Sequence, residues 1–187
     1  MKRLAWTLLL GLLAPLAWGF ELAELGAQLA ARQPVSGAFV QEKHLRALPQ
    51  PLVSQGRFEL SAAEGLLWQL REPLAQDYRI SERGIFRLGP DGWQAQPGQD
   101  AASQQSRLFL AVLRGDHSGL ARDFELDLQG SAEDWQLEMR PRGALLKQIF
   151  SLIRIEGGAE VKEIELLETQ GDRTRLRLTT AAADHAD

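Results

Sequence analysis

Most of this chain, from Val35 to Leu178, alternates apolar and polar residues with a period of two. Alternation places successive side chains on opposite faces of an extended strand, so each such segment is predicted to be a half-buried strand. Glycine, proline and aspartate turns separate many of the segments, which predicts antiparallel hairpins. The segments that we predict to be strands are 39–45, 57–61, 66–71, 77–81, 85–88, 124–128, 135–139, 153–156, 161–166 and 175–178.

The segment 21–32 has a helical period instead. Leu22, Leu25 and Leu29 follow one another at the three- and four-residue spacing of a single helical face. Acidic residues stand in the first turn, where they oppose the helix dipole, and the chain reaches Pro34 two residues after the segment ends. An amphipathic helix is therefore predicted before the first strand.

A second helical segment interrupts the strands at 99–115. Leu108, Val112 and Leu113 recur there at helical spacing, and Gly115 stands at the expected C-terminal cap. The sequence thus predicts a helix inserted between two groups of strands.

About ten antiparallel strands in one sheet must curl, because strands twist, and an apolar face needs a cover. The two predicted helices can supply that cover, so the fold class is α+β. Side chains can fill the space beneath the helices, or an apolar hollow can remain for a ligand. The sequence does not decide between a filled and a hollow interior. It also does not decide whether the segment 144–150 forms helical turns or the start of a strand.

The N-terminus has the pattern of a secretory signal. Lys2 and Arg3 precede an apolar stretch from Leu4 to Leu16, and small residues end at a predicted cleavage site after Gly19. Removal of the segment 1–19 would leave one domain over 20–187 and would change the net charge from −4 to −6. A negative chain is a poor partner for nucleic-acid phosphates, so no nucleic-acid binding is expected.

Residues for metal or thiol chemistry are scarce. The sequence contains no cysteine, which excludes disulfides, thiol nucleophiles and cysteine-ligated metals. Its three histidines, His44, His117 and His185, do not stand at metal-ligand spacing. We expect no metal and no cofactor.

Two groups of residues have catalytic side-chain types without a catalytic pattern. Asp116, His117 and Ser118 are adjacent in sequence, which is not the spatial arrangement of a triad. Glu163 and Glu165 share one strand face, where solvated charge is the usual interpretation. We therefore expect a protein that is not an enzyme.

Three aromatic residues share one predicted face of the sheet. Phe39, Phe58 and Trp68 all fall at in-phase positions of their strands. Aromatic residues in phase are typical of an ordinary core and also of an apolar ligand pocket. Both interpretations remain open on these residues alone.

The order of motifs along the chain resembles the LolA family of periplasmic outer-membrane lipoprotein carriers. The resemblance spans nearly the whole predicted mature chain and looks closest to a LolA-like branch associated with polyene-type lipid pathways. It rests on an opening helix followed by Phe39-x-Gln41, Ser54-Gln55-Gly56-Arg57-Phe58, Trp68, Glu72-Pro73, Ile80-Ser81, Gly84, Gly157-Gly158 and Glu168-x-x-Gly171-Asp172-Arg173-Thr174.

The resemblance implies an incomplete antiparallel β-barrel with helices covering its concave face and a cavity for acyl chains. It implies a monomeric periplasmic carrier that takes lipoprotein or other lipid chains from an inner-membrane donor protein to an outer-membrane acceptor protein. The strand and helix phases then place nine residues in the cavity wall: Phe39, Phe58, Leu60, Leu66, Trp68, Leu70, Ile80, Leu108 and Val112. Under this assignment, Trp68→Glu is expected to fold and to lose acyl binding.

One position departs from the family pattern. An arginine that helps to close the helical lid in the family is replaced here by Ala62. The lid cannot be closed through that arginine in this protein. Arg57, Arg71 and Arg79 stand nearby without an evident substitute role. The alternatives are an interaction module with a packed interior and, as a more distant one, a lipid hydrolase that would need Ser118 or another nucleophile.

Overall fold

The computed structural model describes residues 20–96 and 101–181, with residues 101–104 described by their backbone alone. The predicted signal segment 1–19, the start of the second predicted helix and His185 lie outside the described residues.

Eleven strands form one antiparallel sheet, one strand more than we predicted. The order is β6-β5-β4-β3-β2-β1-β11-β10-β9-β8-β7, so the sheet is not closed and has β6 and β7 at its edges. The strands are β1 (Val35–His44), β2 (Leu52–Ser61), β3 (Gly65–Glu72), β4 (Gln76–Ser81), β5 (Gly84–Gly89), β6 (Gly92–Ala95), β7 (Phe124–Gly130), β8 (Trp135–Pro141), β9 (Phe150–Gly157), β10 (Val161–Glu168) and β11 (Arg173–Thr180).

Two meanders make up this sheet, and the first and last strands join them. β1 pairs with β2 on one side and with β11 on the other, so Phe39 lies opposite both Gly56 and Leu178. The extra strand, β6, is only four residues long and follows the turn at 90–91, which is too short a segment for its alternation to be distinctive.

Four helices accompany the sheet: α1 (Leu22–Ala31), α2 (Ala101–Arg114), α3 (His117–Asp123) and α4 (Ala144–Ile149). The α1 prediction is confirmed, with Glu21 and Glu24 forming a capping box at its start. Gly115 ends α2 with a φ of 71°, in the left-handed region that favours glycine. No helix within 20–96 and 101–181 is long and apolar enough to cross a membrane.

One short helix, α3, was not predicted, and a second, α4, confirms one of the two alternatives left open for the segment 144–150. α3 begins directly after Gly115, because the carboxylate of Asp116 accepts a hydrogen bond of 2.9 Å from the amide of Gly119. The undecided segment 144–150 forms α4 and passes into β9 at Phe150.

The strand connections fall into two groups at opposite ends of the sheet. We call the upper end the one that carries the connections 45–51, 73–75, 90–91, 142–149 and 169–172. We call the lower end the one that carries the turns 62–64, 82–83, 131–134 and 158–160.

One face of the sheet is buried beneath the helices. Alternate strand residues from both meanders join side chains of α1, α2 and α3 in one contiguous apolar core. Ile153, Ile155 and Ile164, for example, are fully buried in neighbouring strands. The helices therefore cover the face on which the sequence places its in-phase apolar residues.

The opposite face carries an ion-pair network, which corrects the interpretation of Glu163 and Glu165 as solvated charge. Glu165 is only 9% exposed, and its carboxylate lies 3.1 Å from Arg154 and 3.6 Å from Arg175. Arg175 also contacts Glu163 at 3.0 Å. The antiparallel register places these acids and arginines in adjacent strands, so they neutralise one another.

Candidate apolar binding site

An aromatic cluster lies between the sheet and α2. The rings of Phe39 and Trp68 stack with their centroids 3.8 Å apart and an angle of 20° between their planes. The ring centroid of Trp68 lies 6.4 Å from that of Phe58 and 5.9 Å from that of Phe109 in α2. Three strands and one helix thus contribute to a single aromatic contact, which is the geometry of offset or tilted aromatic pairs.

The nine residues predicted for the cavity wall all lie in or against the apolar core. Eight are buried, and Leu70 is half-buried near the upper end of β3. The sequence analysis missed Phe109, although the spacing of Phe109 to Leu113 is helical and would have found it. The assignment of these residues to a ligand remains a prediction.

Gly56 makes room for the stacked rings. It lies opposite Phe39 in the β1–β2 ladder, and a Cβ atom added to Gly56 would clash with the carbonyl oxygen of Gln69 and would lie 3.0 Å from Cε1 of Phe39. Such a contact is tighter than ordinary van der Waals packing. The glycine therefore permits the Phe39 ring to lie close to the backbone of β2, beside Trp68.

The space between helices and sheet is filled in this conformation. A cavity bounded by α1, α3 and the strands around Trp135 has a volume of about 20 Å³. A second cavity of about 20 Å³ lies near Leu113 and Leu178. A cavity needs roughly 10–15 Å³ to hold one water molecule, so each of these two admits about one water and neither admits an acyl chain. Neither of these two cavities is the open hollow that acyl carriage requires.

A larger pocket of about 420 Å³ lies elsewhere, at the lower end of β1 to β3. Its lining mixes apolar residues with Glu59, Glu64 and Arg79. Most of the predicted cavity wall does not reach it, since only Leu60 belongs to both. It is a groove of mixed apolar and polar lining that lies apart from the aromatic cluster.

In the described part of the chain, side-chain polar contacts tie α1 and α2 to turns of the sheet. The side-chain amide of Gln28 in α1 donates to the carbonyl oxygens of Ala132, at 3.1 Å, and Gly158, at 2.6 Å, in two lower-end turns. The same Gly158 carbonyl accepts a 2.7 Å hydrogen bond from the indole of the buried Trp135. Gln28 therefore fixes α1 to the turns 131–134 and 158–160 by hydrogen bonds.

The second polar link is at the end of α2. Arg114 contacts the exposed carboxylate of Glu82 at 3.3 Å, in the β4–β5 turn. Ala62 stands in the neighbouring β2–β3 turn, without a side chain that can reach a helix. In the described part of the chain, no hydrogen bond or ion pair joins Arg57, Arg71 or Arg79 to a helix, so none of these arginines replaces the family's lid contact there.

The helices also contact each other closely. A Cβ atom on Gly26 of α1 would lie 2.8 Å from the carbonyl oxygen of Gly115 and 2.7 Å from Nδ1 of His117. Only a residue without a side chain permits this approach. The pair Gly26 and Gly115 therefore joins α1 to the α2–α3 corner.

Two of the residues considered for catalysis, Asp116 and His117, make structural contacts. Asp116 caps α3 through its carboxylate, and the imidazole of His117 packs beside Gly26. The structure thus gives Asp116 a partner other than His117. Among the described residues, no cluster of histidine and acidic side chains could hold a metal ion.

Two carboxyl groups have a lowered pKa, and both lie outside the aromatic cluster. A hydrogen bond from Arg154 is the largest cause of the lowered pKa of Glu138, with Arg140 contributing. Burial raises the pKa of Asp77, but hydrogen bonds from Arg71 and Gln69 outweigh burial and lower it overall. These shifts belong to ion pairs of the sheet and not to proton transfer at a site.

The whole predicted mature chain matches one protein family. Residues 19–187 match the family described as outer membrane lipoprotein carrier protein LolA-like. The chain belongs to this family. No curated protein is significantly similar to the LolA-like chain in sequence.

Solved structures with low sequence identity resemble the LolA-like chain in part. A chain in the complex of Pseudomonas aeruginosa MucA and MucB is 19% identical, with a TM-score of 0.49 over 89% of this chain and 59% of that one. The LolA-like chain thus spans 59% of the length of that relative. A LolA superfamily protein from Nitrosomonas europaea is 10% identical, with a TM-score of 0.48 over 89% of this chain and 94% of that one.

Proposed function

We propose that this protein is a periplasmic carrier that binds the acyl chains of lipoproteins or other lipids between the sheet and α1 and α2. The observation that carries the proposal is the aromatic cluster of Phe39, Phe58, Trp68 and Phe109, in a family described as lipoprotein carriers. In the proposal the sheet curves as an incomplete barrel, and the protein is not an enzyme.

Binding requires the helices to move away from the sheet, because the space is filled. The contacts of α2 with the sheet are apolar around Trp68, and apolar contacts are non-directional. An acyl chain can therefore replace apolar helix side chains against the same strand residues. The polar links through Gln28 and Arg114 help to set how easily the helices open.

The energy of burial is sufficient for carriage. Removing ~14 methylenes from water at about 0.8 kcal/mol each gives on the order of 11 kcal/mol before other costs. Association and ordering remove several kcal/mol, and opening the helices removes more. A carrier needs these costs to reduce the net binding free energy, since an acyl chain that is held too tightly cannot be passed to an acceptor.

The partners in this proposal are membrane proteins that donate and accept lipids. Delivery toward the outer membrane, between an inner-membrane donor and an outer-membrane acceptor, is part of the proposal, and the description of the family as outer membrane lipoprotein carriers supports it. The bound molecule is a lipoprotein or a free lipid with the same acyl chemistry. Mass spectrometry of lipids that co-purify with the protein from its native envelope would identify it.

Binding of a fluorescent fatty-acyl probe tests the site directly. Trp68→Leu removes the stacked ring but keeps an apolar residue, so the fold is retained and we expect probe affinity to fall at least about tenfold. The matched control is Trp93→Leu, because Trp93 lies in the edge strand β6 outside the core. Equal affinities of the two variants would contradict the site assignment.

A thiol crosslink tests the opening. The chain has no cysteine, so Glu82→Cys with Arg114→Cys provides the only two thiols, across the contact between α2 and the β4–β5 turn. A short reducible crosslinker should prevent probe binding, and reduction should restore it. Binding that is unaffected by the crosslink would place the acyl chain elsewhere.

The filled interior favours one second candidate, an interaction module of an envelope assembly with no lipid ligand. Such a module would function with its interior filled, because it would not have to open for a lipid. It predicts no co-purified lipid and no saturable binding of the acyl probe, whereas the carrier predicts both. The two measurements above therefore distinguish the candidates.

A further inference from the structure

The exposed apolar side chains of this protein gather at the upper end of the sheet. Every large hydrophobic residue that is exposed in the described part of the chain belongs to a connection at this end or to the strand residues beside it. The set is Leu48, Leu52, Val53, Leu74, Leu88, Trp93 and Leu145. Isolated exposed apolar residues are ordinary, but their concentration at one end marks a contact surface.

The side chains stand on separate connections. Leu74, between β3 and β4, is 79% exposed, and Leu145, in α4, is 62% exposed. α4 turns Leu146 and Ile149 toward the core, so Leu145 points away from it. Leu52 and Val53, at the start of β2, are each about half exposed.

Hydrogen bonds connect these segments to one another. The backbone amide of Arg46 donates to Asp172 at 2.9 Å, and its guanidinium donates to the carbonyl oxygen of Gln170 at 3.0 Å. On the other side of the same turn, the hydroxyl of Thr169 donates to the carbonyl oxygen of Lys147 in α4 at 3.1 Å. The connection 45–51 and α4 are thus held on either side of one turn.

The charges of the two ends differ. The five upper-end connections contain three cations and two acidic residues, Asp91 and Asp172, in a chain whose net charge is −4. The cations are Arg46, Arg142 and Lys147, all exposed. The four lower-end turns contain five acidic residues and one cation, which are Glu64, Glu82, Glu133, Asp134, Glu160 and Arg83.

We propose that the upper end docks reversibly on the surface of an anionic phospholipid bilayer. The leucines enter the interface between headgroups and acyl chains, and the cations meet lipid phosphates. The acidic lower end faces away, because anionic lipid repels it. Apolar side chains on separate connections fit a lipid surface, which packs around each of them, better than they fit one flat protein epitope. Docking goes beyond acyl carriage, since it concerns how the protein meets the membrane.

Sedimentation with lipid vesicles tests docking. The protein is exported and processed by the host cell, with its N-terminus verified, and mixed with vesicles of phosphatidylethanolamine and phosphatidylglycerol or of phosphatidylcholine alone. We expect binding to the anionic vesicles that weakens with salt. Leu52→Ser with Leu74→Ser should weaken it at least about tenfold, and Arg46→Glu with Lys147→Glu should abolish its dependence on salt.

Matched variants at the lower end serve as controls. Ala63→Ser with Arg83→Glu changes exposed turn residues there and should leave vesicle binding unchanged. Loss of binding in this variant, or absence of binding by the unaltered protein to both vesicle types, overturns the proposal. Binding to a membrane protein alone, seen only in vesicles that contain one, also overturns it.

The acyl probe separates docking from carriage. The upper-end variants should keep full affinity for the soluble probe, while Trp68→Leu should keep vesicle binding. If Trp68→Leu abolished vesicle binding and the upper-end variants did not, the vesicles would be bound through the acyl site, and docking would be wrong even though carriage stood.

Discussion

Gly26 in α1 and Gly115 after α2 contact each other through their backbones. A Cβ atom on Gly115 would lie 2.6 Å from the carbonyl oxygen of Gly26, and Gly115 has a φ of 71°. The two helices that cover the sheet are therefore held together by a contact that no other residue type can make. This contact, and not an arginine at position 62, joins the helices in this protein.

Gly26→Ala should weaken that contact. We expect the free energy of unfolding to fall by about 1–2 kcal/mol, although alanine favours a helix over glycine by roughly 0.5–1 kcal/mol. Urea unfolding measures the change. The matched control is Gly143→Ala, where an added Cβ atom meets open space, and its effect should stay within about 0.5 kcal/mol. Equal effects of the two changes would contradict the packing argument.

Phe39 and Trp68 should stabilise each other beyond the area that they bury. A double-mutant cycle with Phe39→Leu and Trp68→Leu should give a coupling energy of about 0.5–1.5 kcal/mol. Phe39 and Met139 lie four strands apart, so Phe39→Leu and Met139→Leu should be additive. A coupling near zero in the aromatic pair would show that the rings contribute only as ordinary core.

The sequence expectation that Trp68→Glu folds normally needs revision. Trp68 is 7% exposed and contacts three other rings, so a carboxylate there would lose its hydration without gaining a partner. We now expect this substitution to destabilise the fold, and probe binding by Trp68→Leu is the cleaner test of the site.

Gln28→Leu should loosen α1 from the lower-end turns. It keeps the approximate size of the side chain and removes the hydrogen bonds to Ala132 and Gly158, at about 0.5–1.5 kcal/mol each. Amide hydrogen exchange in α1 should accelerate while that of the sheet does not. Gln148→Leu, on the exposed side of α4, is the control and should leave exchange in α1 unchanged.

Stability should depend on the ionisation of Glu138 at acidic pH. Because the hydrogen bond from Arg154 lowers the pKa of Glu138 in the folded state, its contribution is complete above the unfolded-state pKa and declines as pH falls through the folded-state pKa. Glu138→Gln should therefore flatten the decline of the unfolding midpoint below about pH 4.5, near the ordinary glutamate pKa. Arg154→Met should flatten it less, because Arg140 still lies 2.6 Å from the carboxylate; an unchanged slope in Glu138→Gln would exclude the ionisation of Glu138 as its cause.

The local elements could be predicted because their signals lie in neighbouring residues. Alternation located ten strands and assigned Phe39, Phe58 and Trp68 to one face, and helical spacing located α1 and most of α2. β6 was missed since it is four residues long, and 144–150 could not be assigned since its pattern satisfies two periods.

The roles of the acidic residues required the register of the sheet. Glu163 and Glu165 share a strand face in any register, which the sequence shows. Whether that face is solvated depends on the side chains opposite, and only the pairing of β10 with β9 and β11 places Arg154 and Arg175 beside Glu165. Strand alternation contains no information on those partners.

The sequence by itself determined the family, the antiparallel strands and the apolar face, because periodicity and motif order are local properties of the chain. Only the tertiary structure decided that the space beneath the helices is filled, that Gly26 meets Gly115, and that exposed leucines from separate connections share one end of the sheet. Each of these depends on contacts between residues far apart in sequence, where packing volume and strand register, not local pattern, set the outcome.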